Sequence, residues 1–238
     1  MIIDFHSHIL PGMDDGSKST EESLMMLRES ASQGITHMVA TSHFYAGDES
    51  PDEFIARRNE SLAILREGLE MVDFPVPEII PGAEVLYFGG ISNTEEILKL
   101  RLEGTNVLLV EMPFSNWTKN MIYEIIDINN RRDVQVVIAH MDRYLNYSQE
   151  WMNKELRRND VLFQFNAEFF REGLFSRKCF RFCSDGMVNL LGSDCHNTGS
   201  RPQNLGNARK LIEKHVGRDC LYHIDSIGEW LITAPGLF

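Results

Sequence analysis

Five apolar runs along this chain each break off at a polar residue able to bind a metal ion. Ile2-Ile3-Asp4-Phe5 runs into His6-Ser7-His8, and Met38-Val39-Ala40 leads through Thr41-Ser42 to His43. The run 107–110 ends on Glu111, the run 134–139 on His140, and the run 188–193 on Asp194-Cys195-His196. Short β-branched runs of this kind predict buried parallel strands. Helical patterning fills the gaps. Ser19 with Glu22 predicts a capping box, opening a helix with Leu24, Leu27 and Ala31 on one face and Gly34 at its end. A strand is expected at 36–41 and a helix from Pro51 carrying Phe54, Leu62, Leu65 and Leu69. The stretch 76–88 holds a strand interrupted by Pro81-Gly82, with Glu84 just beyond.

A short helix is expected at 94–102, then helices at 119–130, 148–158 and 175–184, with a further strand at 161–166. Helical segments near 205–215, 218–223 and 226–231 close the chain. Roughly seven strand–helix units in one domain over 1–238 predict an α/β fold, either a parallel sheet or a TIM-like barrel of parallel strands. In such a barrel the C-terminal strand ends converge on one mouth. The five runs therefore predict a single polynuclear metal site.

The length of 238 residues suffices for a core without disulfides. The net charge of −12 leaves no basic stripe for nucleic acid. Cys179, Cys183, Cys195 and Cys220 form no CxxC pair. Together with a start that leaves no room for a signal peptide, this predicts reduced thiols in a cytoplasmic protein. No apolar stretch is long enough for membrane insertion.

His6-x-His8 at a strand end puts two imidazoles on one side of an extended segment. Asp194-x-His196 repeats the spacing at the last strand. With His43, Glu84, Glu111 and His140, the set of nitrogen and oxygen donors suits Zn, Mn or Fe. Any one of these residues could be a satisfied polar side chain. Their joint placement at strand ends is what carries the metal reading.

The chain resembles the polymerase-and-histidinol-phosphatase (PHP) family of metal-dependent phosphoesterases. Within it, the chain is most similar to the bacterial protein-tyrosine phosphatases of capsule and exopolysaccharide systems. The resemblance rests on residues 6–16 (HSHILPGMDDG), 40–43 (ATSH), 81–85 (PGAEV), 110–113 (VEMP), 139–144 (AHMDRY) and 193–197 (SDCHN), with Arg201-Pro202. It implies a distorted (β/α)7 barrel of PHP type and three divalent ions. On that pattern His6, His8, Glu84 and Asp194 hold one ion. Glu84 bridges to a second, shared with Glu111 and His140. Asp15, His43 and His196 hold the third, while Asp14 caps the loop.

The resemblance further implies a phosphotyrosine protein as substrate, namely a bacterial tyrosine kinase governing polysaccharide export. Related proteins can form larger homo-oligomers. The chain departs from the family at Met141, where proline is common, which leaves the placement of Arg143 less restrained. Cys195 stands where a small residue is common.

Clustered divalent ions lower the pKa of bound water and clamp phosphoryl oxygens. Arg143 and Arg201 add planar donors matched to phosphate. The leaving phenolate, of pKa about 10, needs modest help, and Asp142 is a conceivable proton donor.

Other readings compete with this one. Cys195 and Arg201 fit the C-x5-R spacing of cysteine-dependent phosphatases, in which a thiolate attacks phosphorus. An amidohydrolase barrel also opens with HxH but commonly carries a mid-barrel lysine, where this chain has Glu84 and Glu111. A small phosphomonoester could replace phosphotyrosine, or the domain could act as a regulator without catalysis. His37 reads as a core or rim residue, and His215 and His223 as solvent-facing. The phenylalanines at 163, 165, 169, 170, 175, 180 and 182 read as packing, with a substrate mouth near Asn166 as the alternative. Arg177, Lys178 and Arg181 read as a solvated helix face.

Overall fold

The computed structural model describes residues 1–131, 133–173 and 176–233. The strands are β1 (Ile3–Ser7), β2 (His37–Ala40), β3 (His43–Phe44), β4 (Glu78–Pro81), β5 (Glu84–Leu86), β6 (Val107–Glu111), β7 (Gln135–Ile138), β8 (Leu162–Asn166) and β9 (Leu190–Gly192). They form a three-stranded sheet in the order β1-β2-β4 and a six-stranded sheet in the order β3-β5-β6-β7-β8-β9. Every pairing between these strands is parallel.

The two sheets are parts of one curled wall. Only Thr41-Ser42 separates β2 from β3, and only Gly82-Ala83 separates β4 from β5. Backbone bonds cross both breaks, from Gly82 N to Ala40 O (2.8 Å) and from Glu84 N to Ser42 O (3.0 Å). Counting each broken pair as one strand gives the seven expected. The wall closes where Ser7 bridges Cys195, with His8 N donating to Cys195 O (2.9 Å) and Asp194 N to His6 O (2.8 Å). A buried polar clasp backs this seam. Asp4 accepts from Ser193 N (2.8 Å), Ser193 Oγ (2.6 Å) and Gln203 Nε2 (2.7 Å).

The α-helices are α1 (Thr20–Ser32), α2 (Pro51–Leu69), α3 (Lys119–Asn129), α4 (Glu150–Arg158), α5 (Ser176–Ser184), α6 (Leu205–His215) and α7 (Arg218–Thr233). Two buried clusters separate inside from outside. Ile3, Phe5, Val39, Val107, Leu109, Val137, Ala139 and Leu190, taken from alternate strand positions, fill the barrel with Leu231 of α7. Their sequence neighbours, among them Met38, Leu108, Val110, Val136 and Ile138, pack outward against the helices.

Several details differ from the sequence expectation. Ser19 caps α1 by accepting from Glu22 N (3.3 Å), but the Glu22 carboxylate takes Lys18 N instead, so the box is not reciprocal. The buried face of α1 is Ser23, Met26, Leu27 and Ser30, while Leu24 and Ala31 are half-buried. Residues 95–100 form a 3-10 helix. The last two predicted helical segments are one helix, α7. Its Gly228 lies so close to Phe5 that a Cβ there would sit 2.9 Å from the ring. Phe175 lies outside the described residues, and Phe163 and Phe165 are core. His215 is stacked on Phe180 (4.4 Å) and bonded to Glu172.

Candidate metal centre

The mouth of the barrel is built by backbone devices that aim polar side chains inward. In β1 the pairing advances from Asp4 to Ser7 while β2 advances only from Met38 to Ala40, which leaves one extra residue in β1. A bulge of this kind shifts the in–out phase of a strand. Ile3 and Phe5 before it point into the barrel, and so do His6 and His8 after it. At the ends of β7 and β9, His140 and Asp194 take positive φ (30° and 53°). Left-handed backbone at non-glycine residues costs on the order of 1–3 kcal/mol and persists only where its surroundings hold it. Here the holding bonds are His140 N to Gln164 Oε1 (2.6 Å) and Asp194 N to His6 O (2.8 Å). Two glycines permit the closeness. A Cβ on Gly192 would lie 2.6 Å from His6 Cβ, and one on Gly16 would lie 2.4 Å from His8 Cβ.

All nine candidate ligands converge. They fall into four overlapping clusters whose donor atoms lie within 4.8 Å of one another: His8, Asp15, His43 and His196; His6, His8 and Asp194; His6, Glu84 and His140; His43, Glu84 and Glu111. Glu84, which is 1% exposed, sits at the centre. Its Oε2 is 3.1 Å from His6 Nε2, 3.3 Å from His8 Nε2 and 3.0 Å from His43 Nδ1, and its Oε1 is 2.7 Å from His140 Nε2. Asp15 is the exposed member, 3.2 Å from His196 Nε2 and 3.5 Å from His43 Nε2. The grouping expected from the family is recovered in part. His8 also reaches the Asp15 group, and His43 links that group to Glu111.

These donor atoms fit divalent cations better than they fit one another. His6 Nε2 faces His8 Nε2 at 3.1 Å, an approach of two ring nitrogens that only a shared proton or a cation can reconcile. His43 Nδ1, Glu84 Oε2 and His196 Nε2 are buried without a hydrogen-bond partner. His43 Nδ1 and Glu84 Oε2 lie within reach of each other yet are not aligned for a bond. Burial works against the Glu84 carboxylate, but the charge of His6, the hydrogen bond from His140 and the nearby His43 hold its pKa well below the usual range. Asp194 is likewise penalised by burial and likewise held low, chiefly by His6 and His8. Burial, then His8, lowers His196 to about 4, so its imidazole keeps a free lone pair.

A supporting layer orients the imidazoles, as ligand histidines require. His8 Nδ1 bonds Asp14 Oδ2 (2.8 Å), His6 Nδ1 bonds Gln164 Oε1 (3.3 Å), and His196 Nδ1 bonds Asp194 O (2.9 Å). In each case Nε2 is left facing the cluster. Asp14 caps the loop as expected, accepting from Gly16 N and His43 N, and it also orients His8. Gln164 and Asn166 of β8 had no role in the sequence reading beyond a possible mouth at Asn166. Gln164 Nε2 donates to Asn166 Oδ1 (3.0 Å), and Asn166 Nδ2 donates to Asp194 Oδ2 (2.9 Å), joining His6 to Asp194. The alternation Phe163, Gln164, Phe165, Asn166 was the available signal, because it puts two amides on the inward face of a strand.

Arg143 and Arg201 both reach Asp194 Oδ2, Arg201 Nη2 at 2.8 Å. Between these arginines, Asn166 and Asp194 lies a cavity of about 200 Å³. The turn carrying Arg143 is tied down without the missing proline, since Asp142 Oδ1 accepts from Asn166 N (2.8 Å). That bond anchors the turn, and burial raises the pKa of the Asp142 carboxyl. Cys195 is fully buried, and burial pushes its thiol up to about 12. The N–H groups of Gly199 and Arg201 in the same loop are taken by Asn197 Oδ1 (2.9 and 3.1 Å). A thiolate nucleophile with an open phosphate cradle is therefore absent here.

Comparison with known proteins agrees with this geometry. The tyrosine-protein phosphatase CpsB of Streptococcus pneumoniae is 34% identical over 229 residues, covering 91% of each chain. CpsB of Streptococcus agalactiae is 31% identical over 232 residues, covering 92% of each. A solved chain of the metal-dependent tyrosine phosphatases YwqE of Bacillus subtilis and CpsB of Streptococcus pneumoniae superposes with a TM-score of 0.85 at 24% identity, covering 100% of this chain and 96% of that one. This likeness establishes the same fold. The family model for capsular polysaccharide synthesis, CpsB/CapC, matches residues 2–227, and the chain belongs to that family.

Proposed function

We propose that this chain is a metal-dependent protein-tyrosine phosphatase. The carrying observation is the convergence of nine histidine and carboxylate side chains beside two arginines that share Asp194. The names of the relatives support the same activity. The donor set suits divalent ions of the Mn, Fe or Zn type, three on the family pattern, and Glu84 would be among the residues that hold them. When bound, such ions supply a nucleophile from water near neutral pH and neutralise phosphoryl charge.

The chain's own residues do the rest. Glu84, Glu111 and Asp194 provide the negative charge that holds cations in a buried place. Asp14 and Gln164 fix the ring orientation of His8 and His6. Arg143 and Arg201 each offer five N–H donors, of which Asp194 occupies few, so the remainder can take phosphoryl oxygens. The substrate we propose is phosphotyrosine on a bacterial tyrosine kinase of polysaccharide export, met in the cytoplasm. We read residues 1–238 as one catalytic domain, supported by a core cluster that runs from Ile9 to Ile224. Among the described residues no helix is long and apolar enough to cross a membrane.

The test is the initial rate of phosphate release from a phosphotyrosine peptide, with Mn²⁺ and with a chelator, for wild type and Cys195→Ser. Activity should vanish with chelator and survive the substitution. Activity indifferent to chelator and lost in Cys195→Ser would overturn the proposal.

The orienting role of Asp14 gives a second expectation. Asp14→Asn removes the negative charge and leaves one acceptor oxygen where Gly16 N on one side and His8 Nδ1 with His43 N on the other now use two, so His8 loses the carboxylate that keeps its proton on Nδ1. It should weaken divalent-ion binding by about 10- to 100-fold, measured by competition with a chromophoric chelator. Unchanged affinity would mean that Asp14 only caps its loop.

A further inference from the structure

The cluster has two chemically different edges. On one, Arg143 and Arg201 surround Asp194. On the other stands Glu111, 3.5 Å from His140 Nε2 and 3.8 Å from His43 Nδ1. Each of these two histidines has an aromatic ring laid on it. Tyr45 stacks on His43, with centroids 5.5 Å apart and planes 20° apart. Phe114 stacks on His140 at 6.1 Å and 14°. Phe114 is propped from behind by Tyr144 (5.3 Å) and Tyr147 (6.4 Å). Both rings are nonetheless open to solvent, Tyr45 by 39% and Phe114 by 52%.

Covering the open faces of these two rings removes apolar surface from water, so an apolar occupant at this rim of the site would be stabilised. The occupant that fits is itself an aromatic ring bearing an anionic group. Its anion would go to the arginine edge and its ring to the Glu111 edge, where offset or edge-to-face contacts are available.

We infer that Tyr45 and Phe114 form an aryl subsite that takes the phenyl ring of phosphotyrosine while Arg143 and Arg201 take the phosphoryl oxygens. The site thereby selects aryl over alkyl phosphoesters. This rests on the phosphotyrosine reading above and adds the residues that make it selective.

The experiment uses the full chain loaded with Mn²⁺. Calorimetric titration with phenylphosphonate and with methylphosphonate measures binding without turnover. KM and kcat are measured on a phosphotyrosine and a phosphoserine peptide. Wild type should bind phenylphosphonate the more tightly. Tyr45→Ala and Phe114→Ala should each weaken phenylphosphonate by about 2- to 12-fold and raise KM for the phosphotyrosine peptide to match. Methylphosphonate affinity should not move, and Tyr45→Phe and Phe114→Tyr should restore the aryl preference.

Equal wild-type affinity for the two phosphonates, or variants that weaken both alike, would overturn the subsite. Hydrolysis of both peptides at equal efficiency would also remove it while leaving a metal-dependent phosphoesterase. Failure to bind either phosphonate or to cleave either peptide would remove the phosphotyrosine reading with it.

Discussion

Glu84→Gln should reduce turnover of a phosphotyrosine peptide by on the order of 10³-fold or more, the equivalent of about 4 kcal/mol of lost electrostatic stabilisation. The side chain is buried among four imidazoles, with its two oxygens 2.7 to 3.3 Å from nitrogens of His6, His8, His43 and His140. Glutamine keeps the shape but removes the charge and turns one oxygen into a donor. An NH2 group cannot bind a cation, and it would compete for the lone pairs that should. A second reading separates lost metal from lost chemistry. A site loaded at 100 times its dissociation constant raises stability by about 2.7 kcal/mol, so adding Mn²⁺ should raise the melting temperature of wild type and not of Glu84→Gln. Metal content by mass spectrometry should fall in parallel. Turnover within tenfold of wild type, at full metal content, would remove Glu84 from the centre of the site.

Arg143→Ala and Arg201→Ala should each lower kcat/KM by on the order of 10²-fold, the scale set by deleting one preorganised donor to a developing charge. Both guanidinium groups converge on Asp194 Oδ2 and line the cavity beside it. Lysine should rescue poorly at either position, because an ammonium lacks the planar fork that meets two phosphoryl oxygens at once. Since the two arginines share an anion and a substrate group, the double variant should lose less than the product of the single losses. The measurements are kcat/KM with each variant's metal content in hand. A variant with normal metal content and near-normal kcat/KM would assign its arginine to the Asp194 contact alone.

Much of this site was visible in the chain. His6, His43, Glu111, His140 and Asp194 each follow an apolar run, and strand ends in a parallel barrel have nowhere to go but the common mouth. Asp15 could be placed only through the family resemblance, because it sits in a loop with no periodicity to locate it. Cys195 and Arg201 illustrate the opposite hazard. Their spacing matches a different chemistry, and burial of the thiol with the loop amides already occupied is what dismisses it.

The pattern of apolar runs and turn residues by itself determined the order of strands and helices, the count of about seven strands and the candidate ligands other than Asp15. Those follow from hydrophobic period and from donor chemistry, both of which are local. The tertiary structure decided the rest. It set the extra residue in β1 that turns His6 and His8 inward, the left-handed backbone at His140 and Asp194, the Gln164–Asn166 relay, and the aromatic edge at Tyr45 and Phe114. Each depends on which strand lies beside which and in what register. Several of the partners that hold them are distant in the chain, as Gln164 is from His140 (24 positions) and from His6 (158 positions). Periodicity carries no information at that range; close packing of the closed barrel supplies it.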